Sequence, residues 1–367
     1  MISILVFGTG RSKDFFCSGL KENINILAYV DNDRAKWGEI VDGKIVINPK
    51  EIDKYDYDYI VIASQYNEII LNQLIDMGVK EKTIFQFFKF MDCNRNYIKV
   101  NLEELVKENL LEYEAIITGI SYMFSAINND TLRVKPIKLA FPSQDLFYDF
   151  KLAEYILKNE EYNLKNIKYA LIGLSYYSFQ YDMSLSSLAN RTIMYYEAIG
   201  EKHNFNDIKS IYRQLENQKI LANELLNKNN NGRFLFSYNP NEVLDLKKNP
   251  EELGEKQANL DCKKNFPKTV EENRQILIEY FNLLNKHNIK PIIIVCPALK
   301  YYTKHFSKRI EDEFHSIIKE VSKEYDFQYI DYFRSELFND EDFQDVSHLN
   351  PKGAEKFTKI LNEVIEW

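Results

Sequence analysis

The chain has 367 residues, of which 45% are hydrophobic and 28% charged, and its formal net charge is -8 at pH 7. This length allows two domains, and the composition is that of an ordinary globular protein. Because phosphate binding needs a concentrated basic face, the negative charge balance argues against a nucleic-acid partner.

Cysteine usage and hydropathy indicate the compartment. No two cysteines have the close spacing of a metal knuckle or a redox motif, so we expect reduced thiols in a reducing environment. The apolar start at residues 1–7 is too short for a signal peptide and lacks a basic region. No apolar run approaches the length needed to cross a bilayer. The sequence therefore predicts a cytoplasmic protein without an integral membrane segment. The four cysteines are Cys17, Cys93, Cys262 and Cys296.

Strand and helix patterns alternate in the first quarter of the chain. Helices are expected after the first strand and at 69–77, where Ile70, Leu71, Leu74 and Ile75 share one face. This alternation predicts a parallel sheet with covering helices, and so a Rossmann-like domain at 1–92. The polar residues 93–112 are expected to form a helical linker. Apolar runs predict strands at 2–7, 26–30, 59–63 and 83–87.

A second series of strands follows, and it predicts a three-layer α/β/α domain over 113–367. A closing helix carries a core stripe between 354 and 365. The excursion at 183–268, with helices at 185–199 and 208–226, is long enough to be a lid, a binding arm or a partly disordered insertion. The predicted strands are 115–118, 137–141, 167–172, 292–295 and 327–330.

Two short motifs of the second domain could supply a catalytic triad. Ser121, in Gly119-Ile120-Ser121, follows a strand and precedes a helix, so its hydroxyl lies at the edge of the sheet where ligands bind. Near the end of the chain, Asp345 stands three residues before His348 and could orient its imidazole as a general base. The alternatives are that Ser121 is only a helix N-cap and that His348 is structural. No histidine cluster has metal-ligand character, so a metal-free mechanism is expected.

The first domain carries an incomplete dinucleotide fingerprint. Gly8 and Gly10 follow the first strand, and Asp31 ends the next strand, at a spacing that suits an acid binding a ribose hydroxyl. Lys13 occupies the place of the third glycine, and together with Arg11 it could bind an anion directly. A fold used only for assembly or docking is the alternative.

The motifs around Ser121 and from Asp345 to Ala354 resemble the SGNH (GDSL-like) hydrolase superfamily over about 113–367. The similarity is strongest to the branch of the D-alanine transfer protein of teichoic acid synthesis and the sugar O-acyl esterases and transferases. The resemblance implies a flavodoxin-like α/β/α fold and a triad of Ser121, His348 and Asp345.

The same resemblance implies an oxyanion hole built from Ser121 and two further blocks. The first block, Phe141 to Asp145, would donate from Ser143. The second block normally ends in Asn, and this chain has Ser175 there. Either Ser175 donates, or Gln144 substitutes, or catalysis is weak. The Asp that usually precedes the serine is also absent, since Ile120 occupies its position.

The runs at 31–38 and 59–64 resemble the Rossmann-like N-terminal domains attached to bacterial sugar-modifying enzymes. This implies a nucleotide or nucleotide-sugar ligand, with no cofactor needed for the chemistry. Together the resemblances predict a serine esterase or O-acyltransferase acting on a carbohydrate or sugar-nucleotide through an acyl-enzyme. The alternative is a glycan- or nucleotide-binding protein with a degenerate site, and a nucleotide-dependent redox enzyme is a third candidate. Homo-oligomer formation is left open.

Overall fold

The computed structural model describes residues 1–64, 66–94, 96–230, 234–236 and 249–367. The chain forms two compact units. The first comprises Met1–Tyr97 and Ser184–Pro240, and the second comprises Ile98–Met183 and Asn241–Trp367. Within the described ranges, no helix is both long enough and apolar enough to cross a membrane.

Apolar, β-branched runs form the strands, as their composition predicts. In chain order the strands are β1 Ile2–Phe7, β2 Ile24–Val30, β3 Ile40–Val41, β4 Lys44–Ile47, β5 Tyr59–Ile62, β6 Ile84–Gln86, β7 Ala115–Gly119, β8 Pro136–Ala140, β9 Tyr169–Leu174, β10 Lys290–Val295 and β11 Gln328–Asp331.

The helices come between the strands, as expected for crossover connections. They are α1 Arg11–Ser18, α2 Asn67–Asp76, α3 Phe87–Asn94, α4 Tyr97–Leu105, α5 Ser121–Ala126, α6 Leu146–Lys158, α7 Thr192–Ile199, α8 Ile208–Leu225, α9 Pro250–Cys262, α10 Pro267–Lys286, α11 Lys300–Thr303, α12 Lys308–Val321 and α13 Pro351–Val364.

The sheet of the first unit has the order β3-β4-β2-β1-β5-β6, and its five strands from β4 to β6 run parallel. This is the order of a Rossmann-like sheet, which confirms the predicted fold class. Strand β3 is an antiparallel addition that the sequence analysis missed. The sequence signal for this hairpin was Asp42-Gly43, a pair that is typical of tight hairpin turns. Both residues have the positive φ that such a turn requires (48° and 74°).

Helix α8 belongs to the first unit, although in sequence it lies within the excursion assigned to the second domain. The side chain of Gln218 accepts a hydrogen bond from Gln86 N (2.6 Å) and donates to Ile84 O (3.1 Å). It thereby satisfies the backbone of the edge strand β6, while Leu221 and Leu225 enter the core beside β1 and β5. The division at 1–92, 93–112 and 113–367 stays a prediction.

Two local predictions are wrong. The helix expected at 185–199 is continuous only over α7, because the preceding serine-rich segment forms two short 3-10 turns. Between these turns Ser186 Oγ accepts a hydrogen bond from Leu188 N (3.0 Å). On α2, Ile75 is 40% exposed rather than part of the buried face.

The second unit has a five-stranded, fully parallel sheet in the order β11-β10-β9-β7-β8. Helix α6 packs with α10 and α5 with α13, so helices cover the sheet in the predicted α/β/α arrangement. If β7 to β11 are numbered 1 to 5 along the chain, the spatial order is 2-1-3-4-5. The chain adds β8 on one side of β7 and the later strands on the other side, so the order of the strands reverses between β7 and β9. Such a reversal opens a crevice at the carboxyl ends of the two strands.

Candidate active site

The turn after β7 brings Ser121 to the crevice where the strand order reverses. Gly119 ends β7 with φ 138°, and a side chain there would place its Cβ 2.7 Å from the carbonyl oxygen of Gly173 on β9. Only glycine suits both the positive φ and this close approach. Ile120 is extended, and Ser121 is the first residue of the short helix α5.

The structure brings Ser121, His348 and Asp345 together from the two ends of the second unit. The Nε2 atom of His348 lies 2.8 Å from Ser121 Oγ, and its Nδ1 atom lies 2.9 Å from Asp345 Oδ2. Asp345 Oδ1 also accepts hydrogen bonds from the backbone N–H groups of Ser347 (2.9 Å) and His348 (2.8 Å). This is the geometry of a hydroxyl, a base and an orienting carboxylate in line.

The carboxyl group of Asp345 is held in its charged form. Burial would by itself raise its pKa, but the pKa is lowered overall by the neighbouring imidazole of His348 and by the two backbone hydrogen bonds. A charged Asp345 fixes the proton of His348 on Nδ1, so that Nε2 faces Ser121 as an acceptor.

Tyr122 is a contact of His348 that the sequence analysis missed. The centroids of its ring and the imidazole lie 4.7 Å apart at an interplanar angle of 39°. Its hydroxyl accepts a hydrogen bond from Tyr177 (3.2 Å), and burial raises its pKa well above the usual value, so it stays neutral. The aromatic residue directly after the serine was the only sequence signal for this contact.

Ser143 occupies a strained turn close in sequence to the end of β8. The turn is closed by a hydrogen bond from Gln144 N to Phe141 O (3.2 Å), and Ser143 has φ 67° at its third position, where glycine or asparagine is usual. The hydroxyl of Tyr181 donates to Ser143 O (2.9 Å). A non-glycine residue keeps such a backbone only where its surroundings enforce it.

The other two oxyanion candidates are placed differently. Gln144 is 1% exposed, and its side-chain amide donates to Leu139 O (2.8 Å) and to Asp149 Oδ1 (2.5 Å). Of the three alternatives for the missing asparagine, substitution by Gln144 is disfavoured by these two hydrogen bonds to the interior, and it stays a prediction. Ser175 follows β9, and its backbone N–H donates to Ser178 Oγ (2.9 Å).

A narrow cavity of about 10 Å³ lies between the carboxyl ends of β9 and β10, lined in part by residues adjacent in sequence to the triad. Tyr122, Ser175 and Ser347 line it together with apolar and aromatic groups, among them Cys296 and Tyr302. The hydroxyl of Tyr302 donates to the buried carboxylate of Asp261 (3.0 Å). The cavity thus joins the residue after Ser121 to the residue before His348.

The first unit places its predicted ligand-binding residues around the end of β1. Gly8 has φ 109°, and a Cβ there would lie 2.9 Å from Ala63 O; Gly10 directly precedes α1, which has no side-chain cap. Asp31 Oδ2 accepts from Thr9 Oγ1 and from Lys36 Nζ (2.9 Å). The carboxylate expected to bind a ribose is therefore already paired inside the protein.

Of the two side chains predicted to bind an anion, Lys13 and Arg11, the structure describes only that of Lys13. The ammonium group of Lys13, which is 3% exposed, forms ion pairs with Asp14 and Asp42. Its charge is thus neutralised internally. The side chain of Arg11 lies outside the described part of the structure, so its predicted role stays a prediction.

Comparison with known proteins gives two partial family matches. Residues 1–85 match the family model described as C2185-like, N-terminal, and residues 246–363 match the one described as DltD protein. The second match contains Asp345 and His348, and it agrees with the SGNH resemblance at the level of the superfamily. No curated protein matches the chain.

Among solved structures, the chain is similar to UDP-D-quinovosamine 4-dehydrogenase from Vibrio fischeri. The identity is 21%, the similarity covers 22% of this chain and 74% of that chain, and the TM-score is 0.19. At this TM-score the similarity carries no inference about the present chain.

Proposed function

We propose that the second unit is a serine esterase or O-acyltransferase that works through an acyl-enzyme. The observation that carries this proposal is the hydrogen-bonded line from Ser121 Oγ through His348 to Asp345. The match of residues 246–363 to the DltD protein family supports it, because that family performs acyl-transfer chemistry of the SGNH type.

In the proposed reaction, Ser121 Oγ attacks the carbonyl carbon of an ester while His348 Nε2 takes its proton. The tetrahedral intermediate collapses, and the imidazolium returns the proton to the departing alcohol, which leaves the acyl group on Ser121. Water or a sugar hydroxyl then attacks this acyl-enzyme with the same base. Asp345 stabilises the imidazolium in both halves of the reaction.

We assign the oxyanion donors to backbone groups. As the first residue of α5, Ser121 has a backbone N–H without a partner inside the helix. The strained turn at Ser143 is the second proposed donor, and Ser175 could add only its hydroxyl, since its N–H already serves Ser178. Each such donor contributes about 10²- to 10³-fold in kcat.

We propose a carbohydrate as the substrate, either a glycan precursor or a nucleotide-activated sugar. The resemblance of the sequence to the sugar O-acyl esterases and transferases supports a sugar hydroxyl as the acyl partner, and the Rossmann-like sheet of the first unit supports a nucleotide group. Gly8 and Gly10 fit the close approach of a diphosphate, whereas Asp31 would have to release Lys36 before it could bind a ribose.

Calorimetric titration with UDP-glucose tests the nucleotide part of the proposal. Lys36→Ala removes the ion-pair partner of Asp31, so a nucleotide that uses this carboxylate binds more tightly to the variant, and Asp31→Ala loses the binding. Equal affinities in wild type, Lys36→Ala and Asp31→Ala would show that no ribose reaches Asp31.

Labelling with a fluorophosphonate probe tests the chemistry. We expect the wild-type chain to be labelled on the peptide that contains Ser121, and Ser121→Ala to remain unlabelled. Ser125→Ala is the matched control, because it removes a hydroxyl four residues away on the same helix. Equal labelling of Ser121→Ala and Ser125→Ala, or none in a folded wild type, contradicts the proposal.

One observation favours a second candidate, a glycan-binding protein without turnover. The position where the SGNH family carries asparagine is Ser175, whose N–H is committed to Ser178. A protein of this kind would bind an acylated sugar but would resist the fluorophosphonate probe. The labelling experiment therefore separates the two candidates.

A further inference from the structure

A buried carboxyl group lies beneath both turns of the proposed catalytic site. Asp149 stands in the first half of α6 and is 2% exposed. It accepts a hydrogen bond from the side chain of Gln144 (2.5 Å) and another from the backbone N–H of Gly119. No step of the proposed reaction uses this group, so a buried polar contact of this kind needs its own explanation.

The two hydrogen bonds of Asp149 end on the two segments with unusual backbone. Gly119, two residues before Ser121, has φ 138°, and Gln144 directly follows Ser143, which has φ 67°. Gln144 is held on its other side by Leu139 O, within β8. Asp149 is thus a direct link between the turn that carries the nucleophile and the turn proposed to carry the second oxyanion donor.

Neighbouring contacts make this link stiff. Asp145 caps α6 by accepting from Tyr148 N (3.1 Å), and it also accepts from Met183 N (2.7 Å), which fixes the start of the helix that carries Asp149. Gly119 cannot move towards β9, because it already packs against Gly173. The separation of the two turns is therefore set by the link Gly119–Asp149–Gln144 together with the hydrogen bond from Phe141 N to Gly119 O (3.1 Å).

Such a separation matters for catalysis more than for folding. Oxyanion donors act only when they lie about 2.7–3.1 Å from the developing charge, and sites that are about 1 Å too loose lose most of their effect. Burial strongly raises the pKa of Asp149, Asp145 raises it further, and the hydrogen bonds from Gln144 and Gly119 act in the opposite direction. Asp149 therefore serves the site as a buried hydrogen-bond acceptor for both turns.

We propose that Asp149 is a positioning residue that fixes the distance between the Ser121 turn and the Ser143 turn, an inference that rests on the proposed acyl-transfer function. Asp149 does not touch the substrate. It acts through Gly119 on one side and through Gln144 on the other, and it makes the two turns move as one body.

The test compares Asp149→Ala, Gln144→Ala and the double variant in the full chain, with p-nitrophenyl acetate as substrate. Asp149→Ala lowers kcat by about 10²-fold with little change in KM, because an oxyanion donor is misplaced. Since the two side chains act in one link, the double variant loses no more than about 3-fold beyond Asp149→Ala. Losses that multiply in the double variant, or a kcat of Asp149→Ala within 3-fold of wild type, overturn the inference.

Leu152→Ala is the control for a merely structural effect. Leu152 is fully buried on the same helix, and its truncation lowers the melting temperature without removing either hydrogen bond of Asp149. We expect its kcat to stay within about 3-fold of wild type at temperatures where the chain is folded. A fall in kcat like that of Asp149→Ala would assign the effect to helix stability and overturn the inference.

Amide hydrogen exchange tests the link without any turnover. Asp149→Ala should speed exchange in peptides covering 117–121 and 141–145, whereas Leu152→Ala should not single out these two segments. Unchanged exchange in both peptides overturns the inference even if the chain proves inactive. A wild type that resists fluorophosphonate but shows the exchange effect would instead overturn the proposed function alone.

Discussion

Replacement of Asp345 by asparagine is the most informative change to the proposed triad. Oδ1 accepts from the backbone N–H groups of Ser347 and His348, and asparagine can keep these bonds with its remaining oxygen. Its new NH2 group then faces Nδ1 of His348, at the position now 2.9 Å away. The imidazole must place its proton on Nε2, where it faces Ser121 and cannot accept the serine proton.

The expected loss follows from this change of tautomer. For a triad that works as a unit, the wrong tautomer costs about 10³- to 10⁴-fold in kcat, which is about 4–5.5 kcal/mol of transition-state stabilisation. Asp345→Asn should lose less stability than Asp345→Ala, because both backbone hydrogen bonds survive and only the stabilisation of the charged carboxylate is lost. Asp345→Ala removes the acceptor of both N–H groups and should lower the unfolding free energy by about 1–3 kcal/mol. The loss should fall towards the lower end of this range, because the Asp345 side chain is 26% exposed.

The assay is p-nitrophenyl acetate hydrolysis at saturating substrate, combined with urea unfolding of the wild type and both variants at pH 7. Ser125→Ala again serves as the control on the same helix as Ser121. If Asp345→Asn keeps kcat within 10-fold of a wild type that is labelled at Ser121, Asp345 does not orient the base. If Asp345→Asn unfolds as readily as Asp345→Ala, the backbone bonds do not carry the stability.

The same variant gives a pH dependence with a definite sign. Because the folded-state pKa of Asp345 is lowered, its charged form adds stability that is present above the unfolded-state value of about 4. This contribution disappears as the pH falls through the lower, folded-state pKa. The difference in unfolding free energy between wild type and Asp345→Asn should therefore shrink below about pH 4, and a constant difference down to pH 2 would contradict the shift.

Three further predictions concern other contacts. Tyr122→Leu should lower kcat by about 2- to 30-fold, because the imidazolium of His348 loses its aromatic neighbour, whereas Tyr122→Phe should not. Gln218→Ala should reduce the unfolding free energy of the first unit by about 1–3 kcal/mol in a urea titration, by exposing the edge of β6. Gly173→Ala should reduce the unfolding free energy by about 1–3 kcal/mol, because its Cβ would lie 2.4 Å from Met123 Cβ.

Each of these three predictions has a clear contradiction. Equal kcat for Tyr122→Leu and Tyr122→Phe would show that the aromatic ring of Tyr122 does not stabilise the imidazolium of His348. An unchanged urea midpoint for Gln218→Ala would mean that the amide does not protect β6. A Gly173→Ala variant that is no less stable than wild type would show that β9 and α5 pack less closely than described.

The strands and the meeting of the triad could be predicted because they depend on local signals. Buried apolar runs mark the strands, and a parallel sheet brings their carboxyl ends to one edge, so Ser121 after one strand and His348 near the last helix are expected to be neighbours. The orientation of the Gln144 amide could not be predicted, because a sequence does not reveal the direction of a side chain. Here the amide points into the interior towards Leu139 and Asp149.

Contacts between residues far apart in sequence could not be predicted either. Nothing local indicates that Gln218 pairs with the backbone of Ile84 and Gln86, which lie more than a hundred positions away in sequence, so the helix α8 could not be assigned to the first unit. Ile75 shows the same limit on a smaller scale, since helical spacing defines a face but not where burial ends. Contacts between segments that are distant in sequence depend on packing and on the unpaired backbone groups of edge strands.

Mass spectrometry of the intact chain during turnover tests the central claim most directly. With p-nitrophenyl acetate in rapid-quench mixing, the account predicts a species heavier by one acyl group, located by digestion on the peptide that carries Ser121 and absent from Ser121→Ala. Ester hydrolysis with no such adduct, or an adduct on another residue that survives in Ser121→Ala, would contradict it.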